Sequence, residues 1–176
     1  MKSSSPKTST PAYVRCSYAS PLGPMTLAAS AQGLAGAWFD RQKHMPDSEV
    51  WPVESQHPVL LQTVLELQQY FAGQRTVFGV PLDLDQGTAF QQAVWHALLD
   101  IAAGHTLAYV ALSQRIGKPA AVRAVGAAVG RNPISIIVPC HRVVGADGSL
   151  TGYAGGLERK VALLQLEQPA QQTILL

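Results

Sequence analysis

Glycine and proline break the first forty residues of this chain into runs that suit a small antiparallel sheet. Tyr13 to Tyr18 is rich in strand formers, and Pro21-Leu22-Gly23-Pro24 makes a turn. Met25 to Ala29 resumes, Gln32-Gly33 turns again, and Leu34 to Phe39 makes a third strand. The pattern then changes period. From Pro58 to Phe71 the apolar residues Leu61, Val64, Leu65, Leu67 and Phe71 stand at helical spacing, and Gly73 closes the helix. Pro81 to Gly87 reads as a linker.

The second part is mostly helical. Thr88 and Gln91 fit a capping box, followed by a stripe of Phe90, Val94, Leu98 and Ile101 that ends at Gly104. A short helix from Tyr109 to Ile116 stops at Gly117. Pro119 suits the first turn of the next helix, which runs through Val129 to Asn132-Pro133. Two short helices meeting at Gly117-Lys118 suggest a helix-turn-helix. Tight helix packing explains the small residues Ala120, Ala121, Ala124, Gly126, Ala127 and Ala128 equally well. The β-branched run Ile134 to Val138 predicts a buried strand. A flexible loop at Gly152 to Gly156 precedes a last helix from Leu157 to Glu167, with Val161, Leu164 and Leu157 facing inward. The expected fold is therefore α/β (α+β). A small N-terminal antiparallel sheet with a helix (11–80) joins through a linker (81–87) to a mostly helical C-terminal domain (88–170). Tails lie at 1–10 and 171–176.

Composition narrows the class. The chain is 47% hydrophobic and 14% charged, a globular balance. No apolar run reaches the roughly 18 residues that span a membrane. The first ten residues lack the apolar core of an export signal, so the cytoplasm is expected. Cys16 and Cys140 carry no CxxC spacing and the histidines no HxxxH spacing, so no metal is expected. Charge is uneven. Residues 1–114 hold six Lys/Arg against eight Asp/Glu, and residues 115–176 hold seven against three. A polyanion would dock on the basic part.

Cys140 is the candidate nucleophile. It ends an apolar run, follows Pro139 and precedes His141. A thiol needs help to become a thiolate, and His141 can take its proton directly or through water. Glu167 is a candidate to orient that histidine. The plain alternative is a buried small apolar cysteine. Neighbouring strand residues also face opposite ways, so the pair works only if the strand stops at Pro139.

The run Ile136-Ile137-Val138-Pro139-Cys140-His141-Arg142-Val143-Val144 resembles the active-site signature of the O6-alkylguanine-DNA alkyltransferases. Arg123-Ala124-Val125-Gly126, Asn132-Pro133, Gly152-Tyr153-Ala154-Gly155-Gly156-Leu157 and Leu164-Gln165-Leu166-Glu167 stand at the family's spacing. Phe90, Gln91, Val94 and Trp95 resemble its first C-terminal helix. The resemblance covers about residues 12–167 and is strongest from 88 onward. It implies DNA repair by irreversible transfer of an alkyl group from O6 of guanine, or O4 of thymine, to Cys140. His141 would act through a water, Glu167 would hold it, and Asn132 would brace the cysteine turn. Tyr109 would donate toward N3 of the base. The Cys140 and Val143 carbonyls, Tyr153, Ala154 and Gly155 would line the pocket. Lys118, Ala121, Arg123, Ala124 and Gly126 would face double-stranded DNA in the minor groove, with Arg123 filling the gap left by a flipped nucleotide. No cofactor is implied, and the protein would act as a monomer. Two rivals are a non-catalytic helix-turn-helix DNA binder and a cysteine hydrolase.

Overall fold

The computed structural model describes residues 12–169. The expected tails at 1–10 and 171–176 lie outside them. The fold is mixed α/β. Strands β1 (Val14–Ser20), β2 (Gly23–Ala29) and β3 (Leu34–Phe39) form an antiparallel sheet in chain order. The register pairs Cys16 with Leu27, Tyr18 with Met25, Met25 with Phe39 and Leu27 with Ala37. These side chains share one face, because residues alternate across a strand. They belong to the buried core.

Helix α1 (Pro58–Phe71) covers that face. Its extent agrees with the sequence pattern, but its inward face does not. Leu60, Thr63, Glu66, Leu67 and Tyr70 are buried, whereas Leu61 and Leu65 are exposed. Polar side chains on the buried face hid the true stripe. Glu66 is there because its carboxylate accepts the backbone N–H groups of Gly79 (3.0 Å) and Val80 (3.2 Å). Those donors would otherwise lie unpaired in the chain that returns across the helix.

The outer edge of β3 is not left bare. Leu34 donates to the Pro81 carbonyl (2.8 Å) and accepts from Asp83 N–H (2.7 Å). Three residues on, Ala37 donates to Pro133 O and accepts from Ser135 N–H, both at 2.9 Å. The second pair stitches the start of the cysteine segment to the sheet and satisfies an edge that would otherwise invite pairing.

Helices α2 (Ala89–Leu98), α3 (Tyr109–Arg115) and α4 (Val122–Gly130) pack together. Thr88 and Gln91 form the expected capping box at α2. Pro119 lies outside α4, which begins three residues later. The intervening turn runs from Gly117, at φ 71°, and is held by Lys118 N–H on Ser113 O (2.9 Å). Val125, Ala128 and Val129 face inward, and Arg123, Ala124 and Ala127 face out.

The run Ile134–Val138 is a buried turn and not the expected strand. Asn132 closes it, donating Nδ2 to Val138 O (2.8 Å) and accepting Ile134 N–H at Oδ1 (3.0 Å). Ile136 is forced to φ 72°, a left-handed conformation that a β-branched residue rarely adopts. Such a position costs about 1–3 kcal/mol, so the surrounding contacts must over-determine it. Strands β4 (Leu107–Ala108) and β5 (Val143–Val144) pair in parallel just beyond. In α5 (Leu157–Leu166) Leu157 and Val161 are exposed, and the inward residues are Lys160 and Leu163.

Gly36 illustrates how tightly the sheet's second face is packed. A Cβ there would overlap the buried Trp38 ring two residues along the same face. Gly36→Ala should therefore lower stability by about 1–3 kcal/mol, the usual cost of overpacking. Urea unfolding checks it. A midpoint equal to that of the native protein would show that the indole moves aside freely.

Candidate active site

Cys140 opens a single 3-10 turn, Cys140–Arg142, immediately after Pro139. Its N–H donates to Val138 O (2.8 Å), so the Asn132-braced turn and the nucleophile are one hydrogen-bonded unit. The helical turn also removes the strand's objection to an adjacent Cys-His pair, because successive residues no longer point to opposite faces.

His141 is fully buried, and its Nε2 lies 2.7 Å from Glu167 Oε1. Arg142 clasps the same carboxylate, Nε to Oε2 at 2.9 Å and Nη2 to Oε1 at 2.8 Å. Tyr70 from α1 donates its hydroxyl to Oε1 at 2.7 Å. Burial by itself would raise the Glu167 carboxyl, but the hydrogen bonds from His141 and Arg142 overcome it and hold the group at about 2. Glu167 is therefore ionised near neutral pH and can only accept. Nε2 of His141 must carry the proton, which leaves the lone pair on Nδ1. Among the described residues that Nδ1 is buried and has no hydrogen-bond partner.

Burial pushes the His141 imidazole down, and the pull of Glu167 does not restore it. Burial also pushes the Cys140 thiol up. The Asn132 amide, the Lys160 ammonium and nearby backbone N–H groups act against that rise without cancelling it. The resting pair is thus a neutral thiol beside a neutral imidazole, one with a proton to give and one with a lone pair to receive it.

Lys160 was not singled out in the sequence. Its ammonium is buried and donates to Val143 O (2.6 Å), Thr151 O (3.1 Å) and Gly152 O (3.5 Å). It ties the loop after Cys140 to the loop before α5 and places a positive charge toward the sulfur. Its position three residues before Leu163 on the inward face was the available signal. Arg142 and Tyr70 were also missed. Arg142 lies in the quoted signature, whereas nothing local in the sequence points from Tyr70 to Glu167.

A cavity of about 210 Å³ opens on Cys140. Tyr109, Gly126, Tyr153 and Ala154 line it, with Lys43 and His44 from the N-terminal part. Tyr109 packs against Gly126 across the α3–α4 pair. Gly155 sits just behind, where a Cβ would crowd the Tyr153 and Phe39 rings. The Val143 carbonyl already accepts from Lys160, and the Cys140 carbonyl accepts from Val143 N–H. Lys118 and Arg123 are exposed on the α3–α4 face, with Ala124 beside Arg123 and Ala121 half-buried. The structure thus brings Cys140, Tyr109 and Tyr153 onto one pocket, and holds His141, Glu167 and Asn132 outside its lining, Glu167 bonded to His141 and Asn132 to the Val138 carbonyl. It leaves Arg123 and Lys118 on the adjoining surface.

Two family models match consecutive parts of the chain. One, 6-O-methylguanine DNA methyltransferase, ribonuclease-like domain, matches residues 14–84. The other, 6-O-methylguanine DNA methyltransferase, DNA binding domain, matches residues 89–169. The chain belongs to the 6-O-methylguanine DNA methyltransferase family. Similar proteins include a methylated-DNA–protein-cysteine methyltransferase of Mycobacterium tuberculosis, 49% identical over 158 residues, covering 88% of this chain and 94% of that one. One from Haemophilus influenzae is 44% identical over 152 residues, covering 86% and 84%. A crystal structure of Mycobacterium tuberculosis OGT in complex with DNA superposes with a TM-score of 0.82 at 48% identity, covering 88% and 92%. No helix among the described residues is long and apolar enough to cross a membrane.

The state of the pair sets a pH dependence. Above the lowered His141 pKa the imidazole is neutral and can accept the thiol proton; below it the protonated ring cannot. His141→Ala or Glu167→Ala should slow reaction of Cys140 near pH 7, by roughly a hundred-fold or more on the usual scale of general-base catalysis. The deficit should narrow as pH rises and hydroxide forms the thiolate directly. Single-turnover rates from pH 6 to 9 test it, and parallel profiles for variant and native protein would remove His141 from the proton path.

Proposed function

We propose that this chain repairs DNA by direct reversal, taking the alkyl group from O6 of guanine onto Cys140 in a reaction each molecule performs once. The observation that carries this reading is the buried Cys140 at the wall of a base-sized pocket, beside a neutral His141 whose free Nδ1 is fixed by the Nε2–Glu167 bond. Sulfur attacks the alkyl carbon and the carbon–O6 bond breaks. The electron pair leaves on guanine, and the proton given up by the thiol to His141 ends on the base. Thiol and alkylated base become thioether and guanine, so the balance needs no cofactor. The thioether has no route back, so the protein is a reagent and not a turnover catalyst. The negative charge that builds on the leaving purine is eased by the Tyr109 hydroxyl donating toward N3.

An O6-alkyl group inside a duplex is out of reach, so the nucleotide must flip into the pocket. Helix α4 suits this task from the minor groove. Its outward face carries Ala124 and Ala127, which let the backbone approach closely, with half-buried Gly126 beside the pocket, Ala121 at its start and Arg123 as its one long side chain. Arg123 enters the vacated stack, while Lys118 and its neighbours contact phosphate without reading sequence. O4-alkylthymine presents the same kind of carbon to Cys140 and is a second substrate. The protein works as a monomer in the cytoplasm. A non-catalytic DNA binder has no use for the Cys140–His141–Glu167 geometry, and a hydrolase would turn over.

Incubation with duplex DNA containing O6-methylguanine should add one methyl group per molecule, at Cys140, and the progress curve should stop at one equivalent. Intact mass and peptide mapping read both. Methyl on Cys16, or product that keeps accumulating, would sink the proposal.

Arg123 separates flipping from chemistry. Arg123→Ala should cut the rate on duplex by about ten-fold or more, because extrusion costs a few kcal/mol and about 1.4 kcal/mol is one factor of ten. Free O6-alkylguanine needs no flipping, so its rate should barely move. Arg123→Lys should recover little if the planar guanidinium stacks in the gap. Equal losses on both substrates would instead point to a damaged fold.

A further inference from the structure

The wall of the reaction pocket draws on both parts of the chain. Lys43 and His44, from the turns that follow β3, line it together with Cys140, Tyr109 and Tyr153. Both are exposed, so they stand where the cavity meets solvent. The chemistry above gives neither of them a task.

The segment that carries them is firmly held. Gln42 is buried, and its Oε1 accepts from Ser135 Oγ (2.9 Å) and Phe39 N–H (3.1 Å). The next residue, Lys43, donates its N–H to Ala154 O (3.1 Å). The backbone is thereby tied to the turn that precedes Cys140 and to the loop that lines the pocket. On either side of this pair the chain takes a left-handed conformation, φ 59° at Arg41 and φ 63° at His44. Neither is glycine, and such positions persist where neighbouring contacts impose them, often at functional sites. The result turns Gln42 inward and leaves Arg41, Lys43 and His44 exposed. Arg41 lies against Asp40, at 3.8 Å. Lys43 takes part in no ion pair among the described residues. An uncompensated cation is thus fixed at the rim, within a part of the chain whose net charge is negative.

A flipped nucleotide stays joined to its strand. With the base in the pocket, the sugar-phosphate chain must pass over the mouth, so the phosphates on either side of the lesion lie across the rim. We propose that Lys43 binds a phosphate flanking the flipped nucleotide, and that the N-terminal part of the chain thereby takes a direct share in holding DNA. This contact rests on the repair reading above and adds a second point of attachment to it. Helix α4 and Lys118 meet the duplex, whereas Lys43 meets the extruded nucleotide. Because the segment is already ordered by Gln42 and the Lys43 N–H, only the side chain has to settle when the phosphate arrives.

The test is equilibrium binding of the full chain carrying Cys140→Ser, which cannot accept the alkyl group at that position, to a duplex containing O6-methylguanine over a range of salt concentrations. Adding Lys43→Gln should weaken binding by roughly two- to five-fold, the scale of one exposed ion pair. It should also make the slope of log affinity against log salt shallower by about one, as the loss of one phosphate contact requires. Lys43→Arg should keep the parent's slope. The bond to Ala154 uses the Lys43 backbone N–H, so neither substitution removes it. On a duplex whose two phosphates beside the lesion are neutral methylphosphonates, the parent and the Lys43→Gln variant should bind alike. A slope unchanged by Lys43→Gln, or a difference that survives on the neutral duplex, overturns the proposal. If the native chain takes no methyl group from the duplex, the repair reading itself has failed. If it does, and Lys43→Gln leaves the slope unmoved, only the Lys43 contact falls.

Discussion

One carboxylate organises the molecule. Glu167 receives the imidazole of His141, two guanidinium nitrogens of Arg142 and the hydroxyl of Tyr70. These donors come from the cysteine turn and from α1, and the acceptor sits at the end of α5. Three parts of the chain separated by up to 97 residues thus meet at two oxygen atoms. Removing one member of such a buried ionic cluster leaves the others uncompensated, which typically costs about 3–5 kcal/mol. The same bonds fix the histidine tautomer. Stability of the fold and orientation of the base are therefore not separable at this position.

A second tie works on the sheet side. The edge of β3 pairs with residues 81–83 and again with residues 133–135. The second pairing lies at the start of the Asn132-braced turn, so the cysteine is anchored between a sheet edge and an ion cluster. Lys160 joins the following loop to α5 from below. The nucleophile sits on irregular backbone, yet each segment around it is held by a named contact. That suits a site that must place a sulfur accurately without a strand or long helix beneath it.

Much of this was legible in the sequence. The three strands, the α1 span, the capping box at α2 and the Cys140-His141 pair with Glu167 follow from turn residues, periodicity and local motif. What the sequence hid has a common physical origin. Ile134 to Val138 has strand composition, but the Asn132 side chain offers it hydrogen bonds that a strand would take from a neighbour, and it folds into a turn. The inward faces of α1 and α5 carry Glu66 and Lys160, charged residues buried because they satisfy distant backbone groups. Local apolar patterning cannot register a partner that is remote in the chain. The same holds for Tyr70, whose role exists only once α1 meets α5, and for His44, which reaches the pocket through the fold alone.

The raised pKa of Cys140 has a consequence beyond rate. A molecule that reacts once has no second sulfur to offer. Oxidants and stray electrophiles attack the thiolate, and exposed, acidic cysteines are the ones they find. A buried thiol held in its protonated form beside a neutral histidine is shielded from both until a base fills the pocket. The reluctance of the resting sulfur is, in effect, its shelf life.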